Sequence, residues 1–74
     1  MIRVGVIGTG AMGKNHVRIY NEMEDVKLAG ISDVDRDRVE AIALQFNTKP
    51  FTDYKEMFAE GLDAVSVEIG RAHV

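Results

Sequence analysis

Three glycines near the start of the chain constrain its fold more than any other feature. Gly8, Gly10 and Gly13 have the spacing G-x-G-x-x-G, directly after the apolar, β-rich stretch Ile2–Ile7 and directly before a segment with helical periodicity. In such a turn the first glycine permits the sharp exit from the strand, the second lets a pyrophosphate approach the backbone, and the third lets the helix pack closely. The pattern predicts a dinucleotide site at a helix N-terminus, with a glycine-rich turn that binds no ligand as the alternative.

The residues between the glycines are expected to serve the same site through the main chain. Thr9, Ala11 and Met12 lie where free backbone N–H groups face the phosphates, so we expect them to contribute amides more than side chains. His16 follows in the first turns of the helix, on its predicted inward face. A packed or hydrogen-bonded structural histidine is the preferred interpretation there, and a catalytic base is the alternative.

Asp33 is the second informative position. It comes twenty residues after Gly13, at the end of the second apolar stretch, where an acidic side chain accepts hydrogen bonds from both hydroxyls of the adenosine ribose. A carboxylate there also repels a 2′-phosphate, so the residue favours NAD over NADP. In the alternative interpretation Asp33 merely belongs to a polar loop with Asp35 and Asp37.

Two arginines leave NADP open as a cofactor. Arg36 and Arg38 follow Asp33 closely enough for either guanidinium to reach a 2′-phosphate. The charge cluster Asp33–Glu40, which contains both arginines, otherwise suits the start and the solvated face of a helix. NAD is therefore the expected cofactor, with NADP as a second possibility.

Length and composition limit the class of protein. The chain has 74 residues, of which 46% are hydrophobic, so it forms at most one small globular domain. The net charge of −3 and the scattered lysines and arginines argue against a nucleic-acid partner, and no apolar run is long enough for a membrane partner. Without cysteine, disulfides and thiolate metal sites are excluded. Because Met1 leads straight into the first strand, no signal peptide is expected and a cytoplasmic location is predicted.

The rest of the chain alternates strands and helices. The predicted strands are Ile2–Ile7, Val26–Ile31, Lys49–Phe51 and the residues from Asp63 to Val67. The first predicted helix is Ala11–Met23, and the second is capped by Asp35 and ends at Asn47. A third, short helix starts with capping-box spacing from Asp53 to Glu56, runs through Phe58 and is followed by Gly61. The inward face of the first helix is expected to carry Met12, His16, Ile19, Tyr20 and Met23, and that of the second Val39, Ile42, Ala43 and Phe46. This order predicts an α/β fold, a partial Rossmann fold whose parallel sheet has the order 3-2-1-4 with flanking helices. The strand with Pro50 then lies at the sheet edge, as a proline requires.

The pattern breaks after Val67. Glu68–Val74 places Glu and Gly where a buried strand should continue or turn. The string GAG ATC GGA AGA GCA CAC GTC TGA encodes this heptapeptide and a stop, and from its second base it resembles the common short-read sequencing adapter. We therefore expect residues 1–67 to be the first half of a dinucleotide-binding domain and residues 68–74 to be a non-native tail, with a natural terminus as the alternative. Arg71 and His73 are accordingly given no functional role.

The residues then suggest a family. The run Val4–His16, with its histidine three residues after the last glycine, closely resembles the amino-terminal signature of the Gfo/Idh/MocA oxidoreductases. Gly30–Asp33, Phe51–Tyr54 and Asp63–Val67 resemble the same family's second-strand end, third-strand exit and fourth strand. The resemblance covers residues 1–67.

The resemblance implies cofactor binding by Gly8, Gly10, Gly13 and Asp33 in a parent enzyme that transfers hydride between nicotinamide and a sugar, polyol or sugar-nucleotide hydroxyl. The lysine-bearing Glu-Lys-Pro motif of the family and its later catalytic region are absent, so no catalytic residue is assigned in this chain. For the parent we expect a small-molecule substrate and a homo-oligomeric assembly.

Three alternatives stay open at this point. Gly10–Gly13 reads Gly-Ala-Met-Gly, which also suits another Rossmann dehydrogenase or imine reductase such as a pyrroline carboxylate reductase. A non-catalytic regulator that binds NAD(H) has the same loop, because binding and chemistry reside in separate parts. In the third alternative the 74-residue polypeptide is only a truncated gene product that is itself inactive.

Overall fold

The chain alternates four strands with three helices. The computed structural model describes residues 1–68, leaving aside the side chains of Ala11 and Met12. Its elements are β1 (Ile2–Ile7), α1 (Ala11–Glu22), β2 (Val26–Ser32), α2 (Arg36–Phe46), β3 (Pro50–Phe51), α3 (Tyr54–Phe58) and β4 (Ala64–Val67). These bounds agree with the predicted elements to within one or two residues at each end.

The strands form one parallel sheet in the order β3-β2-β1-β4, which confirms the predicted topology. β1 lies inside the sheet, between β2 and β4, so the loop that follows it emerges next to the carboxyl ends of both neighbours. Pro50 is in the edge strand β3, where its missing N–H costs no ladder hydrogen bond. A parallel sheet gathers the loops after its strands at one edge, and this edge carries the candidate site.

Helix ends agree with the predicted capping residues. The Asp35 side chain accepts a hydrogen bond from the Arg38 amide, and Asn47 ends α2 in the left-handed conformation, with φ of 56° and ψ of 51°. Asp53 caps α3 through the amide of Lys55, not through a reciprocal capping box with Glu56. Each cap satisfies a backbone group that the helix itself leaves without a partner.

The core lies between the sheet and the two longer helices. Its buried members are Val6, Val17, Leu28, Ile31, Val39, Ile42 and Ala43, with Tyr20 and Phe46 packed against them. The predicted inward face of α2 is thus confirmed. For α1 the prediction was wrong in part, because Val17 is the fully buried residue while Ile19 and Met23 are about half exposed. Gly13, which packs against the Gly8 carbonyl, and Val17, four residues further on, lie on the same face of α1.

Two glycines in neighbouring strands make room for α3, a feature that the sequence did not reveal. Gly5 of β1 and Gly30 of β2 are paired in register, and the fully buried Met57 covers both. A Cβ on Gly5 would lie 2.9 Å from the Met57 Cε, and one on Gly30 would lie 3.1 Å from its Cγ. Leu62 would lie even closer to the Cβ on Gly5, at 2.7 Å, and Phe51 closer to the Cβ on Gly30, at 2.9 Å. The bare backbone of these two strands therefore makes room for Met57 together with Leu62 and Phe51.

Candidate functional site

The glycine loop connects the inner strand β1 to the N-terminus of α1. The Gly8 amide donates to the Ser32 carbonyl at 2.7 Å, so the loop stays joined to β2 as it leaves the sheet. Gly10 is the N-cap of α1 with φ of −66°, and it supplies no capping side chain. The first turn of α1 contains no acidic residue. The amides at this helix end are thus available to an anion, as the dinucleotide interpretation requires.

Gly8 and Gly13 shape the loop by close backbone contact. Gly8 has φ of +91°, a left-handed conformation that side chains rarely adopt. A Cβ on Gly13 would lie only 1.9 Å from the Gly8 carbonyl oxygen. Both residues must therefore be glycine for the loop to exist at all, whether or not a ligand binds.

Gly10 differs from the other two glycines. A Cβ there would meet nothing closer than the Arg38 Nη1, at 3.7 Å, which is an ordinary contact distance. The fold itself therefore leaves room for a side chain at this position. A requirement for glycine at Gly10 has to come from something that approaches the loop from outside.

The Asp33 carboxylate is bonded to the glycine loop. Its Oδ2 accepts from both the amide and the hydroxyl of Thr9, each at 2.8 Å, while its Oδ1 accepts from the Asp35 amide at 2.9 Å. Thr9 is almost fully buried. Hence the two predicted site segments, which are distant in sequence, meet at one edge of the sheet.

These contacts keep Asp33 ionised. Burial by itself raises the pKa of this carboxyl, but hydrogen bonds from the Asp35 amide and from Thr9, together with the charge of Arg38, outweigh it and hold the pKa below its ordinary value. Hydrogen bonds from the Arg38 amide and guanidinium likewise lower the pKa of Asp35. The site presents two carboxylates at neutral pH, with Arg38 paired to Asp35 at 3.2 Å.

For Thr9 the structure differs from the sequence-based expectation. Its amide is not free for a phosphate, because both the amide and the side chain donate to Asp33. Sequence reasoning missed this bond since 24 residues separate the partners. The parallel register offers the only signal: Ile7 pairs with Ser32, so the residues that follow these two leave the sheet side by side.

His16 is held by contacts within the chain. Its Nδ1 lies 3.1 Å from the Ser66 Oγ and 2.7 Å from a Glu68 carboxylate oxygen, and its ring stands edge-on to Tyr20. The contacts with Ser66 and Tyr20, which lie within residues 1–67, favour the structural interpretation of this histidine. The Glu68 amide also extends the pairing of β4 with β1 by donating to the Ile7 carbonyl. The remaining residues of the proposed tail, 69–74, lie outside the described residues.

Among residues 1–68 no helix has the length and apolarity needed to cross a membrane. Within the same residues, no group of three or more histidine or acidic side chains is arranged to hold a metal ion.

Comparison with known proteins identifies the class to which this fold and loop belong. Residues 2–73 match the oxidoreductase family with an NAD-binding Rossmann fold that is called Gfo/Idh/MocA. The chain therefore belongs to the Gfo/Idh/MocA family.

Individual relatives are dehydrogenases. The chain is 36% identical over 78 residues to the inositol 2-dehydrogenase/D-chiro-inositol 3-dehydrogenase of Lacticaseibacillus casei. This alignment covers 99% of this chain and 22% of that protein. The structure of UDP-N-acetylglucosamine 3-dehydrogenase from Acidithiobacillus ferrooxidans superposes with a TM-score of 0.83 at 32% identity, over 92% of this chain and 22% of that one. The myo-inositol dehydrogenase of Lactobacillus casei in complex with NAD(H) and myo-inositol gives a TM-score of 0.80 at 34% identity, over 95% and 22%. The chain thus spans about a fifth of the length of these relatives.

Proposed function

We propose that the edge of the sheet formed by the glycine loop and Asp33 binds NAD. The pyrophosphate lies over Gly10 against the N-terminus of α1, where the backbone of Ala11, Met12 and Gly13 faces it. The adenosine ribose lies on Asp33. The observation that carries the proposal is the open space at Gly10, because the fold alone gives no reason for glycine at this position.

The charges around the ribose position support NAD as the preferred cofactor. An ionised Asp33 repels a 2′-phosphate, and its lowered pKa keeps that repulsion in place at neutral pH. Arg38 is the group that admits NADP as a second cofactor, since its guanidinium lies near Gly10 and is held by Asp35. Arg36 is the first residue of α2 and is exposed.

We further propose that the full-length parent is an oxidoreductase that transfers hydride between nicotinamide and a hydroxyl of a sugar, polyol or sugar nucleotide. Support comes from relatives that carry the names inositol 2-dehydrogenase and UDP-N-acetylglucosamine 3-dehydrogenase. In this proposal residues 1–67 supply cofactor binding and the catalytic residues come from the rest of the parent. The parent takes a small-molecule substrate, assembles as a homo-oligomer and acts in the cytoplasm.

Glu68 is the one residue of the proposed tail that the structure describes. Its Cβ lies 3.6 Å from where a Gly13 Cβ would lie, and its carboxylate pairs with the His16 Nδ1 at 2.7 Å. We propose that residues 68–74 are a non-native tail because their codons can match the sequencing adapter. Sequencing the source DNA across codon 68 tests this, and a continuous natural reading frame through Val74 to a genuine stop would refute it.

Calorimetric titration of the full-length protein with NAD, NADP and ADP-ribose tests the cofactor proposal. We expect NAD and ADP-ribose to bind and NADP to bind more weakly. Reduction of NAD, followed by its absorbance, is then measured with polyols, hexoses and sugar nucleotides. Absence of NAD binding would refute the proposed site, while binding without turnover on any of these hydroxyl substrates would refute the proposed reaction class and favour a binding module.

A further inference from the structure

The acceptor positions of Asp33 are largely occupied before any ligand arrives. An ionised carboxylate offers about four lone-pair positions for hydrogen-bond donors. Thr9 fills both positions on Oδ2, and the Asp35 amide fills one on Oδ1. In this conformation a single position, on Oδ1, is left for the ribose, whereas the sequence pattern predicts acceptance from both ribose hydroxyls.

The Thr9 hydroxyl is the part of this arrangement that a side chain controls. It is buried with the residue, and its 2.8 Å bond to Asp33 joins the loop after β1 to the end of β2. We propose that the Thr9 hydroxyl is a positioning group of the dinucleotide site, which fixes Asp33 so that the carboxylate accepts from only one hydroxyl of the adenosine ribose. This inference rests on the proposed function for its ribose part, but the bond between Thr9 and Asp33 exists without a ligand.

The protonation of Asp33 supports the inference and gives it a readout. The Thr9 hydroxyl is one of the donors that hold the pKa of Asp33 down. In the described residues the charged groups beside Asp33 are Arg38 of α2 and Asp35 of the loop that leads into α2. Removing the hydroxyl should therefore raise the pKa of Asp33. Binding of NAD that depends on the ionised carboxylate would then be lost at a higher pH as the solution is acidified.

A matched set of variants separates this role from a general structural one. Thr9→Val removes the hydroxyl with little change in shape, and Thr9→Ser retains it. Thr48→Val is the control, because the Thr48 hydroxyl makes a similar 2.9 Å bond, to the Leu28 carbonyl, away from the site. All variants are made in the full-length protein, and thermal unfolding shows whether each one folds.

The first measurement needs no ligand. The carboxyl pKa of Asp33 is followed by NMR in the free protein. We expect it to rise in Thr9→Val and to stay unchanged in Thr9→Ser and Thr48→Val. An unchanged pKa in Thr9→Val would overturn the inference, even if the protein binds NAD.

The second measurement uses NAD and its two analogues that lack the 2′- or the 3′-hydroxyl of the adenosine ribose. In the wild type we expect one analogue to bind about tenfold more weakly than NAD and the other to bind equally well, since one charge-assisted hydrogen bond is lost in only one of them. In Thr9→Val, where Oδ2 regains a free position, both analogues should bind more weakly than NAD. Equal losses for both analogues in the wild type, or a wild-type pattern in Thr9→Val, would overturn the inference. A wild type that binds no NAD, together with a raised Asp33 pKa in Thr9→Val, would refute the proposed function and leave the bond between Thr9 and Asp33 standing.

Discussion

The three glycines of the loop are expected to respond differently to substitution. In Gly13→Ala the new Cβ would lie 1.9 Å from the Gly8 carbonyl oxygen, where real contacts stay above 3.0 Å, so the backbone must move by about 1 Å. Overpacking of this kind costs about 1–3 kcal/mol, and two backbone segments in contact favour the upper end. For a domain of 150–250 residues a loss of about 3 kcal/mol lowers Tm by roughly 6–12 °C.

Gly10→Val should leave the fold intact and remove the ligand. Its φ of −66° suits any residue, and the nearest atom, on Arg38, is at an ordinary distance, so the structural cost is about 1 kcal/mol or less and comes from a poorer N-cap. The side chain would occupy the approach of the pyrophosphate. Losing one or two hydrogen bonds to a charged phosphate, about 3 kcal/mol in all, weakens NAD binding about 100-fold.

Calorimetry with NAD and thermal unfolding of the full-length protein check both expectations. Gly10→Ser is the matched control, because serine is a good N-cap but also adds a side chain at the pyrophosphate position. If Gly10→Ser binds NAD normally, the loss in Gly10→Val is an effect on capping. Undiminished NAD binding by a folded Gly10→Val protein would refute the reasoning altogether.

Three further outcomes are expected. Asp33→Ser should weaken NAD binding about tenfold or more and lower the preference for NAD over NADP, since it removes both a hydrogen-bond acceptor and a repulsive charge. If parallel titrations with NAD and NADP show unchanged selectivity, Asp35 or Arg38 determines the preference instead. Met57→Ala should lower the free energy of unfolding by about 2–5 kcal/mol in denaturant titrations, because the Met57 side chain is fully buried. Phe58→Ala should lower it by less than about 1 kcal/mol, because Phe58 is 46% exposed. Equal effects would contradict the packing described for α3. The isolated 74-residue chain should show neither cooperative thermal unfolding nor hydride transfer. Ordering the backbone and side chains costs roughly 1.5 kcal/mol per residue, and burial in so small a core barely offsets that cost. Turnover together with cooperative unfolding would disprove this.

The parts of the fold that follow local rules were predictable from the sequence. Apolar periodicity and capping residues such as Asp35 and Asn47 act over a few positions, and they gave the elements and their order correctly. The face of α1 was predicted less well, because the apolar spacing selected Ile19 and Met23 and passed over Val17, which is fully buried. Ile19 and Met23 satisfy the helical period and still lie about half exposed.

The site divides in the same way. The spacing of the glycines located the loop, but sequence alone could not distinguish Gly10, which faces open space, from Gly13, which faces backbone. The bond from Thr9 to Asp33 and the covering of Gly5 and Gly30 by Met57 join residues that are far apart in the chain. Such contacts depend on the register of the strands and on how the helices sit on the sheet, and neither is written in a local pattern.

The position of β1 inside the sheet has a consequence for how the chain folds during synthesis. β1 is the first strand made, but one of its two edges pairs with β4, from Val4 opposite Ala64 to Ile7 opposite Val67. At about 5–20 residues per second a ribosome needs roughly 3–12 s to add the sixty residues between these partners. The site residues from Gly8 to Asp33 are complete well before that, yet the strand that leads into the glycine loop keeps one edge unpaired until β4 emerges. Translation that stops before Ala64 therefore yields a chain with every proposed NAD-binding residue and an open, apolar strand edge available for aggregation.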